Sequence, residues 1–220
     1  MNFRPWASGL RTAFSLLTFY AVGRQFVIHA GQGFNVVNFF SYFTNLANLF
    51  AAGVLLWAAW AAPRPASATS AAVVRAMAAI NMLVVGVVFS TLLRDVDLGS
   101  LLPWVNFVLH YLMPCVVVLD WILLPPRERF HVRELLLCLI SPLAYLSYVL
   151  IRGSFVGWYP YPFLNPANVG GYGGVMLYAM GIAVVFIVGG WALLALANRL
   201  RERGGRASAE RARSRSLGAR

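Results

Sequence analysis

Residues Val36 to Phe50 read VVNFFSYFTNLANLF, apolar enough for a membrane yet carrying Asn38, Ser41, Thr44, Asn45 and Asn48. Hydrocarbon offers amides and hydroxyls no partner, so each costs free energy there unless the protein supplies one. At 100° per residue the five fall within an arc of roughly 120° on a helix. A spanning helix with its polar groups on one face turns that face toward the bundle or a wet cavity. The stretch therefore predicts a multi-helix membrane protein with a polar interior. Two uses of the stripe stay open: hydrogen bonding between helices, or a site.

The rest of the chain agrees with a membrane fold. Of 220 residues, 60% are hydrophobic and 11% charged, whereas a soluble domain carries about 25% charge. Hydropathy resolves runs of near-membrane length at 10–29, 36–60, 72–93, 102–124, 133–152 and 173–197. The loops joining the first five are short, so neighbouring runs are expected to be antiparallel. The expected fold class is all-α: a polytopic bundle of six transmembrane helices over residues 1–198. A basic tail over 199–220 is expected to be disordered and to lie beside anionic lipid headgroups. The first run carries Arg24 and Gln25 and lacks a small-residue cleavage pattern, so it reads as a retained span, not a signal.

The net charge is +11 and every basic residue is Arg. In a six-crossing chain Arg4, Arg11, Arg64, Arg75, Arg127, Arg129, Arg133 and the tail share one side. The opposite side holds only Arg24, Arg94 and Arg152. This is the positive-inside distribution, which places both termini in the cytoplasm and argues against a nucleic-acid partner. An all-Arg composition rich in Ala and Gly points to a GC-rich bacterial genome, and so to a multi-pass protein of the bacterial inner membrane. Cys115 and Cys138 fall inside spans and read as small core residues. No HExxH, paired-histidine, CxxC or phosphate-cradling glycine pattern occurs, so no metal and no cofactor is expected.

The chemistry-bearing residue is in the fourth run, PWVNFVLHYLMPCVVVLDW, Pro103 to Trp121. Asn106, His110 and Asp120 lie within an arc of about 80°. His110 is the one histidine well inside a span, and an ionisable group at such depth is a functional candidate by default. Its imidazole suits a general base. Pro114 cannot donate the bond that the His110 carbonyl would accept, so a kink or a freed carbonyl is expected at that turn. The second and fourth runs both enter from the outer side, and Thr44 and His110 each lie roughly 12 Å in, at 1.5 Å per residue. If these helices touch, the two residues form a nucleophile and base pair. Asp120 is about 15 Å further along the helix, too far to orient the imidazole, and with Trp121 it reads as inner boundary.

Two other faces are polar. Ser15, Thr18, Gln25 and His29 share one side of the first run, and Ser141, Tyr145, Tyr148 and Arg152 share one side of the fifth. Both suit either lining of the same cavity or locking of helices, and locking is the favoured reading. The outer loop GSFVGWYPYPFLNPANVGGYGG is too rich in Pro and Gly for a helix, yet unusually aromatic. Trp158, Tyr159, Tyr161 and Phe163 suit either an interfacial lid over a cavity or a plain aromatic belt.

Three motifs together, FSYFTNLANLF (Phe40–Phe50), NFVLHYLMP…LDW (Asn106–Trp121) and WYPYPFLNP…GGY (Trp158–Tyr172), resemble the androgen-induced-protein family of six-span membrane proteins, in its bacterial branch. The resemblance covers about residues 10–197. Animal members are intramembrane threonine hydrolases that cleave fatty acid esters of hydroxy fatty acids. The resemblance thus implies an ester hydrolase acting on lipids, with the threonine at Thr44 and the histidine at His110. Asn48, Asn106 and, less directly, Asn45 are the expected oxyanion or substrate-positioning groups, and Ser41 is an expected cavity residue. The alternatives are a small transporter or channel, or a lipid-binding protein without turnover, using the same polar cavity. The sequence leaves the lipid and the oligomeric state open.

Overall fold

The computed structural model describes residues 5–61, 68–96, 100–126 and 128–218, except for the side chains of 68–69 and 204–218. Arg4, Arg64 and Arg127, assigned above to the cation-rich side, lie outside the described residues. All regular structure among the described residues is helical. The elements are α1 (Pro5–Gly31), α2 (Val36–Phe40), α3 (Phe43–Trp60), α4 (Ala68–Val88), α5 (Pro103–Phe107), α6 (Met113–Leu123), α7 (Val132–Cys138), α8 (Ile140–Val156) and α9 (Tyr172–Gly218). A π turn, Phe89–Leu93, prolongs α4, and another, Val108–Leu112, joins α5 to α6 in one rod. α9 is helical through Gly218, into the segment expected to be an irregular tail.

Among the described residues, five stretches are long and apolar enough to cross a membrane: Phe43–Trp60, Ser70–Leu93, Pro103–Leu123, Val132–Val156 and Tyr172–Arg203. α1 is not among them. It is 27 residues long, about 40 Å at 1.5 Å per residue, but is diluted by polar groups. Those groups face inward: Arg11, Ser15, Thr18 and Gln25 are buried, while Leu10, Leu16, Tyr20 and Val27 are each more than half exposed. The usual polarity of a globular helix is inverted. Inside, Ser15 donates to the Ala52 carbonyl at 2.8 Å, and Gln25 both donates to Ser100 O and accepts from Leu102 N at 3.1 Å.

α4 is the central helix and packs on α3, α6, α7 and α9, while α1 packs along α3. α4 and α6 approach closely where Gly86 meets Pro114, and an added Cβ would come within 3.2 Å of the proline ring. The turn before Pro114 is a π turn, in which Met113 N bonds to Val108 O, five residues back.

Arg11 and Arg75, expected on the cation-rich flank, both pair with Asp120. Arg11 bonds it through Nε at 2.7 Å and Nη2 at 3.1 Å, and Arg75 through Nη2 at 3.0 Å. Their side chains are only 9% and 15% exposed. The remaining donors reach Ala58 O and Leu124 O, so the cluster ties α1, α3, α4 and the end of α6. Trp121, expected at an interface, is buried and donates its indole N–H to Leu193 O at 3.1 Å. A buried charge must be paired, and here one carboxylate pairs with guanidinium groups from two other helices. Removing Asp120 strands two buried guanidinium groups, so Asp120→Ala should cost about 3 kcal/mol of stability. Denaturation of the purified protein in detergent measures this, and an unchanged midpoint would contradict the buried cluster.

Candidate functional site

The stretch that opened the sequence reading is not one helix. It breaks at Ser41 and Tyr42, between α2 and α3. A continuous helix would bond Phe43 N to Phe39 O, Thr44 N to Phe40 O and Asn45 N to Ser41 O. Side chains take over instead. Asn45 Nδ2 donates to Phe39 O at 2.8 Å, and the Tyr145 hydroxyl donates to Ser41 O at 2.8 Å. Phe43 N–H donates to the Tyr145 oxygen and Thr44 N–H to the Tyr161 oxygen, each at 3.2 Å. The first turn of α3, which its own N-cap Tyr42 leaves without a side-chain acceptor, is thus capped by tyrosines from α8 and the outer loop.

The remaining polar residues of the stretch are also partnered. Asn38 Oδ1 accepts from Arg152 at 2.6 Å. Ser41 Oγ donates to Val37 O at 2.7 Å, so it accepts from the Tyr148 hydroxyl at 2.9 Å. The polar face of α8 therefore closes over the polar face of α2 and α3, the locking role expected of Tyr145, Tyr148 and Arg152.

Beside the break lies a cavity of about 200 Å³, walled by α3, α4, α8, α9 and the outer loop. Among its described lining residues, only Thr44, Tyr145 and Tyr161 have polar side chains. Thr44 Oγ1 is 3.4 Å from the Tyr161 oxygen. The outer loop forms part of the wall. Phe163 and Leu164 are buried in a cluster with Phe89 and Val149, and Tyr161 stacks on Phe163 with centroids 5.2 Å apart. Trp158 and Tyr159 anchor the loop without lining the cavity. Trp158 lies 5.3 Å from the Arg152 guanidinium, and Tyr159 packs across Gly153.

His110 is next to this chamber. Its ring stacks on Phe89, a lining residue, at 3.9 Å and 20°. Nδ1 lies 3.2 Å from Asn106 O; a carbonyl only accepts, so Nδ1 carries the proton and Nε2 is the basic nitrogen. Two π turns meet here, Phe89–Leu93 and Val108–Leu112, a distortion often found at functional sites. The helices of Thr44 and His110 do touch, because Asn48 Nδ2 donates to Leu109 O at 3.1 Å. The two side chains are not directly bonded among the described residues; the threonine hydroxyl is on Tyr161.

The geometry changes the roles open to the asparagines. Asn48 donates to Thr44 O at 2.9 Å as well as to Leu109 O, so both its N–H groups are spent. It cannot donate to an oxyanion; its unpaired group is a buried acceptor, Oδ1. Asn106 Oδ1 is likewise buried and unpaired, and Asn45 is engaged by Phe39 O. Phe89, the contact between His110 and the cavity, had no signal in the sequence. Tyr145 had one, its place on the polar face of the fifth run.

No family model matches the chain, and no curated protein or solved structure does so either. A Cβ added at Gly153 would fall within the Tyr159 ring, so Gly153→Ala must push the ring away. Amides of residues 157–171 are then expected to exchange hydrogen at least about tenfold faster, as measured by mass spectrometry. Unchanged exchange would mean that Tyr159 does not anchor the loop.

Proposed function

We propose that the chain is a six-span intramembrane hydrolase that cleaves a lipid ester, with Thr44 as nucleophile and His110 as general base. The observation that carries this is the Thr44 hydroxyl at the one polar end of an otherwise apolar cavity. An acyl chain fits such walls, and its ester then meets the hydroxyl. α1 supplies the sixth span, its apolar face toward lipid and its polar face toward α3. The described arginines 129, 133, 199, 201 and 203 then share the cytoplasmic side with both termini. The membrane is the inner membrane of a bacterial cell. The three-motif resemblance to the androgen-induced-protein family implies the same nucleophile and base.

Thr44 Oγ1 bonds to the ester carbonyl carbon as its proton passes to His110 Nε2. Collapse of the tetrahedral intermediate expels the alcohol, which takes that proton, and water releases the acyl group by the same route. Turnover requires the Thr44 hydroxyl to turn from Tyr161 toward His110, since catalytic contacts commonly tighten only when substrate binds. A second reading, lipid binding without turnover, draws on the resting bond between Thr44 and Tyr161.

Hydrolysis of 4-nitrophenyl esters of graded chain length by the purified protein separates the two. Thr44→Ala and His110→Ala should each lose at least about 100-fold in rate, because paired groups act as a unit. Thr44→Ser should retain activity. Wild-type turnover in Thr44→Ala would sink the nucleophile, and no turnover by the wild-type protein would favour simple binding.

A further inference from the structure

We propose that Tyr161, carried by the loop between α8 and α9, is the oxyanion donor of the Thr44 site. The catalytic constellation is then complete only with that loop seated. The inference rests on Thr44 being the nucleophile and adds a residue and a closing element to that role.

A count of hydrogens around Thr44 leads to Tyr161. Both N–H groups of Asn48 go to carbonyls. The Tyr145 proton goes to Ser41 O, and Phe43 N–H goes to the Tyr145 oxygen. Thr44 N–H goes to the Tyr161 oxygen. The Tyr161 proton is the one left over: its oxygen already accepts a bond, and among the described residues the hydroxyl beside it is Thr44 Oγ1 at 3.4 Å. A well-formed hydroxyl bond is about 2.7 Å, so this donor is loosely held and can turn to a new oxygen. The oxyanion forms two bonds from Thr44 Oγ1, within reach of a phenol already beside that atom. Phenols keep their proton at neutral pH.

The donor is also held in place before substrate arrives. Phe163 stacks on the Tyr161 ring at 4°, and Tyr42 meets it edge-on, with centroids 5.7 Å apart. Donors fixed in a water-poor, apolar site are worth far more than in water. When Oγ1 bonds to the carbonyl carbon, the π pair moves onto oxygen, Tyr161 hydrogen-bonds to it, and the phenol keeps its own proton. Collapse returns the pair as the alcohol leaves.

A long-chain alkyl fluorophosphonate tests this through its inactivation kinetics. Oγ1 forms a bond to phosphorus, fluoride leaves, the hydroxyl proton goes to the base, and the phosphoryl oxygen occupies the oxyanion position. Tyr161→Phe should lower the maximal inactivation rate about 100-fold, while the half-saturating concentration changes less than about threefold, as expected for transition-state stabilisation. Tyr148→Phe, which loses another phenol at the α2–α3 break, should react at the wild-type rate. Gly153→Ala, which unseats the loop and keeps the hydroxyl, should also slow inactivation. Thr44 labelling at the wild-type rate in Tyr161→Phe overturns the inference and leaves the nucleophile standing. Equal slowing in Tyr148→Phe and Tyr161→Phe overturns it in favour of a structural role. A wild-type protein left unlabelled at Thr44 overturns both proposals.

Discussion

The break between α2 and α3 is the constraint on which the rest of the site depends. Breaking a helix in hydrocarbon frees backbone groups that water cannot satisfy, so other parts of the chain must satisfy them. Asn45 takes the Phe39 carbonyl, Tyr145 spans Ser41 O and Phe43 N–H, and Tyr161 receives Thr44 N–H. These bonds bring α8 and the outer loop onto Thr44, and they leave a chamber between α3, α4, α8 and α9 with its polar groups at one end. Of the five polar residues in the stretch, Asn38, Ser41, Asn45 and Asn48 bond to the backbone or to neighbouring helices, and Thr44 is the one among them that lines the chamber.

The same economy governs the opposite end of α3. α1 buries its polar face and presents its apolar one outward, so its average hydropathy understates how apolar its exposed face is. Arg11, Arg75 and Asp120 join three helices through one carboxylate. This cluster and the α2–α3 break lie toward opposite ends of α3: Arg11 reaches Ala58 near its C-terminus, and Tyr161 caps its first turn. α3 is thus pinned at both ends, which holds Asn48 against Leu109 and keeps the turn that bears His110 next to the cavity wall.

Much of the helical architecture was legible because it depends on local pattern. Long apolar runs, a one-sided polar stripe and a proline four residues after a histidine are read at helical spacing. What was hidden depends on partners distant in sequence. Nothing within Val36–Phe50 announces a break, since the groups that stabilise it, Tyr145 and Tyr161, lie about a hundred residues later. Arg11 resembled an ordinary flanking charge until Asp120, 109 residues away, met it. Asn48 was named as a residue of the site, but its role turned on direction: its amide hydrogens face two carbonyls, and only its oxygen is unpaired. The aromatic loop was open between lid and belt, and burial of Phe163 and Leu164 beside the cavity marks it as part of the wall.

Mapping the covalent adduct tests the central claim most directly. The purified protein would be treated with an alkyl fluorophosphonate, digested, and its modified peptide sequenced by tandem mass spectrometry. The adduct is predicted on Thr44, at the start of α3, and it should be absent from protein carrying His110→Ala. An adduct on Ser41, on Tyr145 or on Cys115, or equal modification of Thr44 without the histidine, would contradict the pairing of this threonine with His110.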